Sequence, residues 1–255
     1  MTAALNWDYT ALAANYELRP DYSSELIHST LVSLNPPRDR IWLDVGAGTG
    51  KLTRLLSPAA SQIFAIEPNR AMRMRGQHNT AGRAVHWIAA RGEQLPLPDA
   101  SAGLIAFGSS YNVLNPECAH RESLRLLGDG GIWMALWNHR DLDDPLQKQI
   151  ESQIESVLPD FDRGRRRENP LPELLDRGGF RDAGQTQHRF VRKLKVTEWL
   201  AAWRSHATLQ RQAGPNWESI QQAIARTANA CSQSSDSPGW LQVPYVTRLY
   251  WARRT

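Results

Sequence analysis

Residues 43–50 read LDVGAGTG and continue an apolar run that opens at Ile41. Gly46, Gly48 and Gly50 alternate with Ala47 and Thr49, so the stretch offers almost nothing but main chain. Glycine reaches positive φ at no steric cost and lets a ligand approach the backbone closely. The run is followed by KLTRLLS, with Leu52, Leu55 and Leu56 at helical spacing. Apolar strand, glycine turn and helix together open an α/β unit. At the carboxyl end of a first strand such a turn floors a nucleotide-type site.

The alternation persists. IFAIE (63–67), VHWIAA (85–90), GLIAFG (103–108) and IWMALWN (132–138) read as strands, while NRAMRMRGQ (69–77) and ECAHRESLRLL (117–127) read as helices, the second halted by GDGG. Buried strands with helices between them predict a Rossmann-like, doubly wound sheet covered on both faces. Further on, PLQKQIESQIESVL (145–158) and PELLDRGGF (172–180) are helical in pattern, and QTQHRFVRKL (185–194) and YVTRLYWARR (245–254) are strand candidates. The roughly fifty residues between the last two are too many for a simple connection. They contain TEWLAAWRSHATL and WESIQQAIARTANA, which predict a helical pair lying over one end of the sheet. The chain divides accordingly into an N-terminal lid segment (1–35), a core (36–192), a helical insertion capping the substrate (193–243) and a final core strand (244–255).

The loop's spacing discriminates among ligands. A phosphate-binding P-loop places a glycine where Val45 stands and a Ser or Thr where Leu52 stands, so that reading fails twice. A dinucleotide fingerprint places its third glycine one residue later than Gly50. Asp44, just before the first glycine, would repel a diphosphate and attract an ammonium group. Glu67, at the end of the second strand, is placed to accept both hydroxyls of a ribose. A ligand with a ribose, an ammonium and no phosphate fits these marks, and S-adenosylmethionine is one.

IWLDVGAGTGKLT, IFAIEPN, GEQLPLPDASAGLIAFG and LLGDGGIWMALWNHRD resemble, in order and spacing, the motifs of class I S-adenosylmethionine-dependent methyltransferases. The similarity is to the small-molecule branch with the ubiquinone/menaquinone-biosynthesis and trans-aconitate methyltransferases. YELRPDYSSELI resembles that branch's lid and VPYVTRLYWARR its last strand. The resemblance implies a seven-stranded sheet with the last strand antiparallel. It assigns Gly46, Ala47, Gly48 and Gly50 to the cofactor's amino-acid end, and Glu67 to the ribose. Pro68 and Asn69 would flank the adenine, with Gly92 and Glu93 approaching it. Phe107, Gly108 and Ser109 would lie near the sulfonium. Two positions depart from the pattern: Arg91 stands where relatives often carry Asp or Thr, and Tyr111, Asn112 and Val113 replace an aromatic–His–Trp stretch.

Methyl transfer from a sulfonium asks the protein chiefly to align the acceptor and exclude water. A base is needed only where the acceptor must shed a proton, as a hydroxyl does. His139, directly after the fifth strand, with Tyr111 and Asn112, are the catalytic candidates. Tyr16, Arg140 and Trp203 are the substrate-binding candidates. Arg140 suits an acidic substrate or a local pair with Asp141 or Asp143, and Trp199 and Trp203 suit an apolar wall or the core. Tyr22 can close over the cofactor, and Tyr9, Asn138 and His206 complete the polar set.

The sequence-level expectation is therefore a methyltransferase acting on a small molecule, with oxygen favoured as acceptor over carbon or nitrogen. A nicotinamide-dependent oxidoreductase and a non-catalytic S-adenosylmethionine-binding module are the alternatives. The chain has 255 residues, 41% hydrophobic and 22% charged, enough for one sizeable core. A net charge of +4 is too mild to argue for nucleic acid. The cluster Arg163, Arg165, Arg166 and Arg167 lacks interleaved aromatics and reads as a solvated loop. Cys118 and Cys231 lie outside metal-ligand spacing and read as thiols of a reducing compartment. No basic-then-apolar leader opens the chain and no apolar window is long enough to span a membrane. A cytoplasmic monomer or homodimer without a metal is expected.

Overall fold

Strand β1 (Ile41–Val45) is buried on both faces, and so are its neighbours β2 (Ile63–Ile66) and β4 (Ala102–Gly108). In the computed structural model, which describes residues 16–255, they lie at the centre of a seven-stranded sheet of order β3-β2-β1-β4-β5-β7-β6. β3 is Val85–Ile88, β5 Leu127–Arg140, β6 Phe180–Lys195 and β7 Trp240–Arg254. The first five strands run parallel, and β7 inserts antiparallel between β5 and β6. The mixed, doubly covered sheet with its last strand reversed is the architecture anticipated from the alternation and the resemblance.

Side-chain alternation assigns each face its own core. Trp42, Leu104, Ile132, Met134, Leu136 and Leu249 pack on one face with helix α1 (Ser24–Leu34) and α2 (Lys51–Leu56). Leu43, Val45, Ile105, Phe107, Trp133 and Trp137 pack on the other with α4 (Pro116–Leu126) and α6 (Leu171–Asp176). Helix α3 (Arg70–Asn79) follows β2. Starts are encoded locally: Ser23, Asn69 and Asn115 cap α1, α3 and α4, each accepting from a backbone N–H in the first turn. Asp144 does the same for α5 (Pro145–Val157).

Two elements differ from expectation. β5 begins at Leu127 and absorbs the GDGG segment, because the register with β4 jumps from Ala102–Leu127 to Leu104–Ile132. Gly130 sits at φ +71°, and a Cβ on Gly131 would lie 2.8 Å from the Gly128 carbonyl oxygen, so glycines make this irregular ladder possible. The second half of the expected lid is α1, whose Leu26, Ile27 and Leu31 are buried in the core. Only the segment before it runs toward the open end of the sheet, and Tyr9 lies outside the described residues.

Between β6 and β7 come α7 (Val196–Arg204), α8 (Ala207–Ala213) and α9 (Trp217–Gln233). The Val196 N–H donates to the Gly239 carbonyl (3.0 Å) and closes the base of this excursion. The helices have an apolar core of their own, with Trp199, Trp203, Ile220 and Ile224 packed on Ile150 and Ile154 of α5. Trp199 and Trp203 meet edge to face at 5.7 Å. Both rings are buried in that core, and both also line the cavity described below.

Candidate active site

The glycine loop turns at the carboxyl end of β1. Gly46, Gly48 and Gly50 all hold positive φ, at +71°, +56° and +82°. A Cβ on Gly46 would stand 2.5 Å from that of Ser110, whereas above Gly48 the first atoms are Met72 Cε at 3.4 Å and Tyr16 Cε1 at 3.9 Å. Backbone geometry thus favours glycine at both positions; a side chain at the first would collide with Ser110, whereas at the second it would meet its neighbours at ordinary contact distance.

Glu67 ends β2 beside this loop. Its Oε2 accepts from the Gly48 N–H (2.9 Å) and its Oε1 from the Asn69 N–H (2.8 Å). A carboxylate has about four lone-pair sites, so two remain for a ligand's hydroxyls. Burial raises its pKa, while these two N–H donors and Arg73 oppose the rise. Asp44 is sealed, with no exposed surface, and accepts from Thr53 Oγ1 at 2.6 Å, tying β1 to α2. Its Oδ1 is buried without a hydrogen-bond partner among the described residues. Burial lifts its pKa to about 7 against the hydrogen bonds from Thr53, and the Glu67 charge adds to the rise.

A cavity of about 200 Å³ opens beside the loop, over the ends of β4 and β5. On its β4 side Ser109, at φ +58°, hydrogen-bonds Tyr22 Oη through Oγ (2.9 Å) and donates its N–H to Leu136. Burial pushes the Tyr22 hydroxyl well above the usual phenol range. On the β5 side lie Asn138, His139 and Arg140. The Asn138 amide donates to the carbonyls of Pro20 and Asp21 (3.0 Å each) and accepts from Thr247, anchoring the N-terminal segment. His139 is 7% exposed, and its ring has no hydrogen-bond partner among the described residues. Burial, with Arg166, Arg167 and Arg248 nearby, holds its pKa down at about 3, so the imidazole is neutral at physiological pH.

Known proteins resemble this chain over the elements that build the site. The profile of the methyltransferase domain family matches residues 43–135, from the glycine loop into β5. Over that segment the chain is similar to a methyltransferase domain. A ubiquinone/menaquinone biosynthesis C-methyltransferase, UbiE, of Caulobacter vibrioides is 28% identical over 169 residues, covering 59% of this chain and 67% of the relative. The UbiE of Rubrivivax gelatinosus is 33% identical over 136 residues, 50% of this chain and 53% of the relative. Among solved structures, a provisionally assigned type II methyltransferase of Anaeromyxobacter dehalogenans shares the fold, with a TM-score of 0.70 at 16% identity over 92% of this chain and 97% of that one. A geranyl diphosphate methyltransferase solved with S-adenosylmethionine has a TM-score of 0.50 at 17% identity, covering 99% of this chain and 94% of that one.

The anticipated site residues fall into three sets. Gly46, Ala47, Gly48, Gly50, Glu67, Pro68 and Asn69 gather at the ends of β1 and β2. Tyr16, Ser109, Asn112, His139, Arg140 and Trp203 line the cavity. The third set, Tyr111, Gly92, Glu93 and Gly108, serves packing, and some of the lining residues have structural partners as well. Tyr111 is buried edge-on against Phe107 and Trp133, and burial raises its hydroxyl to about 12. Asn112 accepts from the Trp137 indole N–H (2.8 Å). Gly92 is buried where a Cβ would meet Val45 Cγ1 at 2.5 Å, and Glu93 accepts from the Asn115 N–H (3.3 Å). A Cβ on Gly108 would press on the Tyr22 hydroxyl at 3.1 Å. Arg140 pairs with Glu151 (2.8 Å) rather than Asp141 or Asp143, and lies over the Trp203 ring at 4.0 Å. His206 stacks on Trp203 too, at 5.7 Å.

Sequence reading missed the arginines. Arg166 and Arg167 line the cavity half-buried, together with Arg19, Arg163 and Lys51. Lone cations outside a motif carry no marker, and the run at 163–167 resembles any solvated loop. Phe161, also on the cavity wall, is the one apolar residue near that run that hints at an inward turn.

Proposed function

We propose that the protein transfers a methyl group from S-adenosylmethionine to an oxygen atom of a small molecule. The observation that carries this is Glu67: its carboxylate bridges the glycine loop and the start of α3 and, with one N–H bound at each oxygen, retains acceptor capacity for a ligand's hydroxyls. The residues fit the group. Glu67 would hold the ribose hydroxyls, the main chain of Gly46–Gly50 the amino-acid end, and Asp44 would order the loop through Thr53. When bound, S-adenosylmethionine supplies an electrophilic methyl on a good neutral leaving group. Support for the donor comes also from the fold relative solved with it. The lid reading falls to the segment around Tyr16 and Tyr22, and the cap reading to α7 and α8.

The protein's own part is positioning. Phe107, Gly108 and Ser109 end β4 next to the cavity, and Tyr22 locks Ser109 in its left-handed conformation through their hydrogen bond. The walls from Trp137, Phe161 and Trp203 exclude water. His139 is held neutral, so a ring nitrogen can accept a hydrogen bond from an acceptor's hydroxyl and orient its oxygen, while a pKa of about 3 makes it a weak base. This is the ground for favouring oxygen over the carbon named for the UbiE relatives.

Calorimetry with S-adenosylhomocysteine tests the donor site. Glu67→Ala should weaken binding by roughly 1–3 kcal/mol, the worth of charged hydrogen bonds. Wild-type affinity in that variant, or binding of a nicotinamide dinucleotide in its place, refutes the assignment. Mass spectrometry of products from a labelled donor then reads the acceptor atom, and a carbon-methylated product overturns the oxygen reading.

A further inference from the structure

The cavity wall carries Arg19, Lys51, Arg140, Arg163, Arg166 and Arg167 and, among the described residues, no aspartate or glutamate. Three of these cations are matched by acids set back from the wall: Lys51 by Asp21 (2.7 Å), Arg140 by Glu151 (2.8 Å), and Arg163 by Glu151 and Glu155. The other three have no carboxylate within ion-pair distance among the described residues. Arg19 donates to the hydroxyl and carbonyl of Ser205 (3.1 and 2.5 Å). Arg166 donates one N–H to the Asn138 carbonyl (3.0 Å), and Arg167 has no ion pair or hydrogen bond there. A guanidinium carries five N–H donors, so most of those of Arg166 and Arg167 are uncommitted.

Gathering like charges in a partly desolvated cavity is unfavourable unless an opposite charge joins them. The neighbouring groups register the positive field. Burial and the arginines together depress the Arg166 guanidinium to about 10 and also lower the pKa values of His139 and His206. The charges are also well placed. The Arg166 contact with Asn138 sets its guanidinium beside His139 at the end of β5, and β5 pairs with β4 up to Gly108–Leu136, next to Ser109. Trp137, Phe161 and Trp203 line the same cavity.

We propose that this cavity is an anion-recognition site in which Arg166 and Arg167, with Arg19, hold the carboxylate or phosphate of a one-ring acceptor against an aromatic wall. The proposal rests on the methyl-transfer reading for where the reacting atom lies, and on the arginines alone for the anion. It makes the three arginines determinants of acceptor choice. Arg140, already neutralised by Glu151, supports the wall instead of binding the substrate's charge.

Three probes separate the possibilities: 4-hydroxyphenylacetate, phenyl phosphate and the neutral 4-hydroxyphenylacetamide. Each is titrated into the purified full chain without donor, followed by tryptophan fluorescence and calorimetry. At least one anion should bind about tenfold or more tighter than the amide, as charged hydrogen bonds are worth that factor. The tighter of the two names the acceptor's group. Arg166→Gln and, separately, Arg167→Gln should erase most of that preference and leave amide affinity unchanged, which a merely structural loss would not do. Equal binding of acid, phosphate and amide by the wild type overturns the proposal even if no variant folds. So does an undiminished preference in both variants. S-adenosylhomocysteine titrated into the same samples keeps the two readings apart: anion preference without donor binding sinks only the methyl-transfer assignment.

Discussion

Replacing Asp44 by asparagine should change how stability depends on pH. The carboxyl is fully buried, and its pKa is raised from 3.8 to about 7. Because the folded value lies above the unfolded one, the native state keeps a proton that the unfolded chain releases between those values. Stability therefore falls as pH rises through that window; below it Asp44 contributes nothing, and above it the penalty is constant. Each pH unit crossed inside the window costs about 1.4 kcal/mol. Between about pH 5 and about pH 8 the penalty from Asp44 should grow by about 3 kcal/mol, since the two units up to its folded pKa are traversed there. The asparagine amide cannot ionise and keeps an oxygen for the Thr53 hydroxyl. Urea denaturation of wild type and Asp44→Asn at both pH values checks this, because any constant packing cost of the amide cancels in the double difference. The variant should gain on wild type by about 2–4 kcal/mol on moving to the higher pH. Parallel losses, within about 0.5 kcal/mol, would show that the fold tolerates the charged carboxylate and would refute the desolvation argument.

Three further outcomes follow from the same geometry. Gly46→Ala, at φ +71° and with its Cβ 2.5 Å from that of Ser110, should cost about 2–4 kcal/mol in urea denaturation, and a cost under about 1 kcal/mol would mean the loop is shaped differently. Trp199→Ala should cost about 3–5 kcal/mol and raise hydrogen exchange in α7 and α9, whereas a near-neutral result would contradict the burial of that ring in the core of the insertion. The His139 ring resonances should stay flat between about pH 5 and 8, and a titration midpoint near 6.5 would show that the ring is not buried beside Arg166 and Arg167.

Much of the fold is written in near neighbours. The β1 run, the glycines and the Leu52–Leu56 spacing specify strand, turn and helix because each depends on residues a few positions apart. Both faces of the sheet are covered, so its strands appear as continuous apolar runs, and Ser23, Asn69 and Asn115 announce helix starts by capping chemistry. Glu67 was legible for the same reason: it ends a strand whose neighbour carries the glycine loop, and parallel pairing brings the two together. The breadth of β5 was not legible, since GDGG halts a helix and also permits an irregular strand, and only pairing with β4 selects the second role.

The arginine-lined cavity belongs to tertiary structure alone. Arg19 comes from the N-terminal segment, Asn138 and His139 from β5, Arg166 and Arg167 from the connection after α5, and Trp203 from α7. No local rule links these positions, and an arginine carries the same signature whether it faces water or a cavity. The side of the loop on which Arg166 lies, and the pairing of Glu151 with Arg140 and Arg163 but not Arg166, follow from how the insertion packs on α5. Sequence by itself determined the sheet and its glycine turn, because short-range periodicity and backbone sterics decide them. Packing decided which cations were left without partners, because that depends on distances between segments remote in the chain.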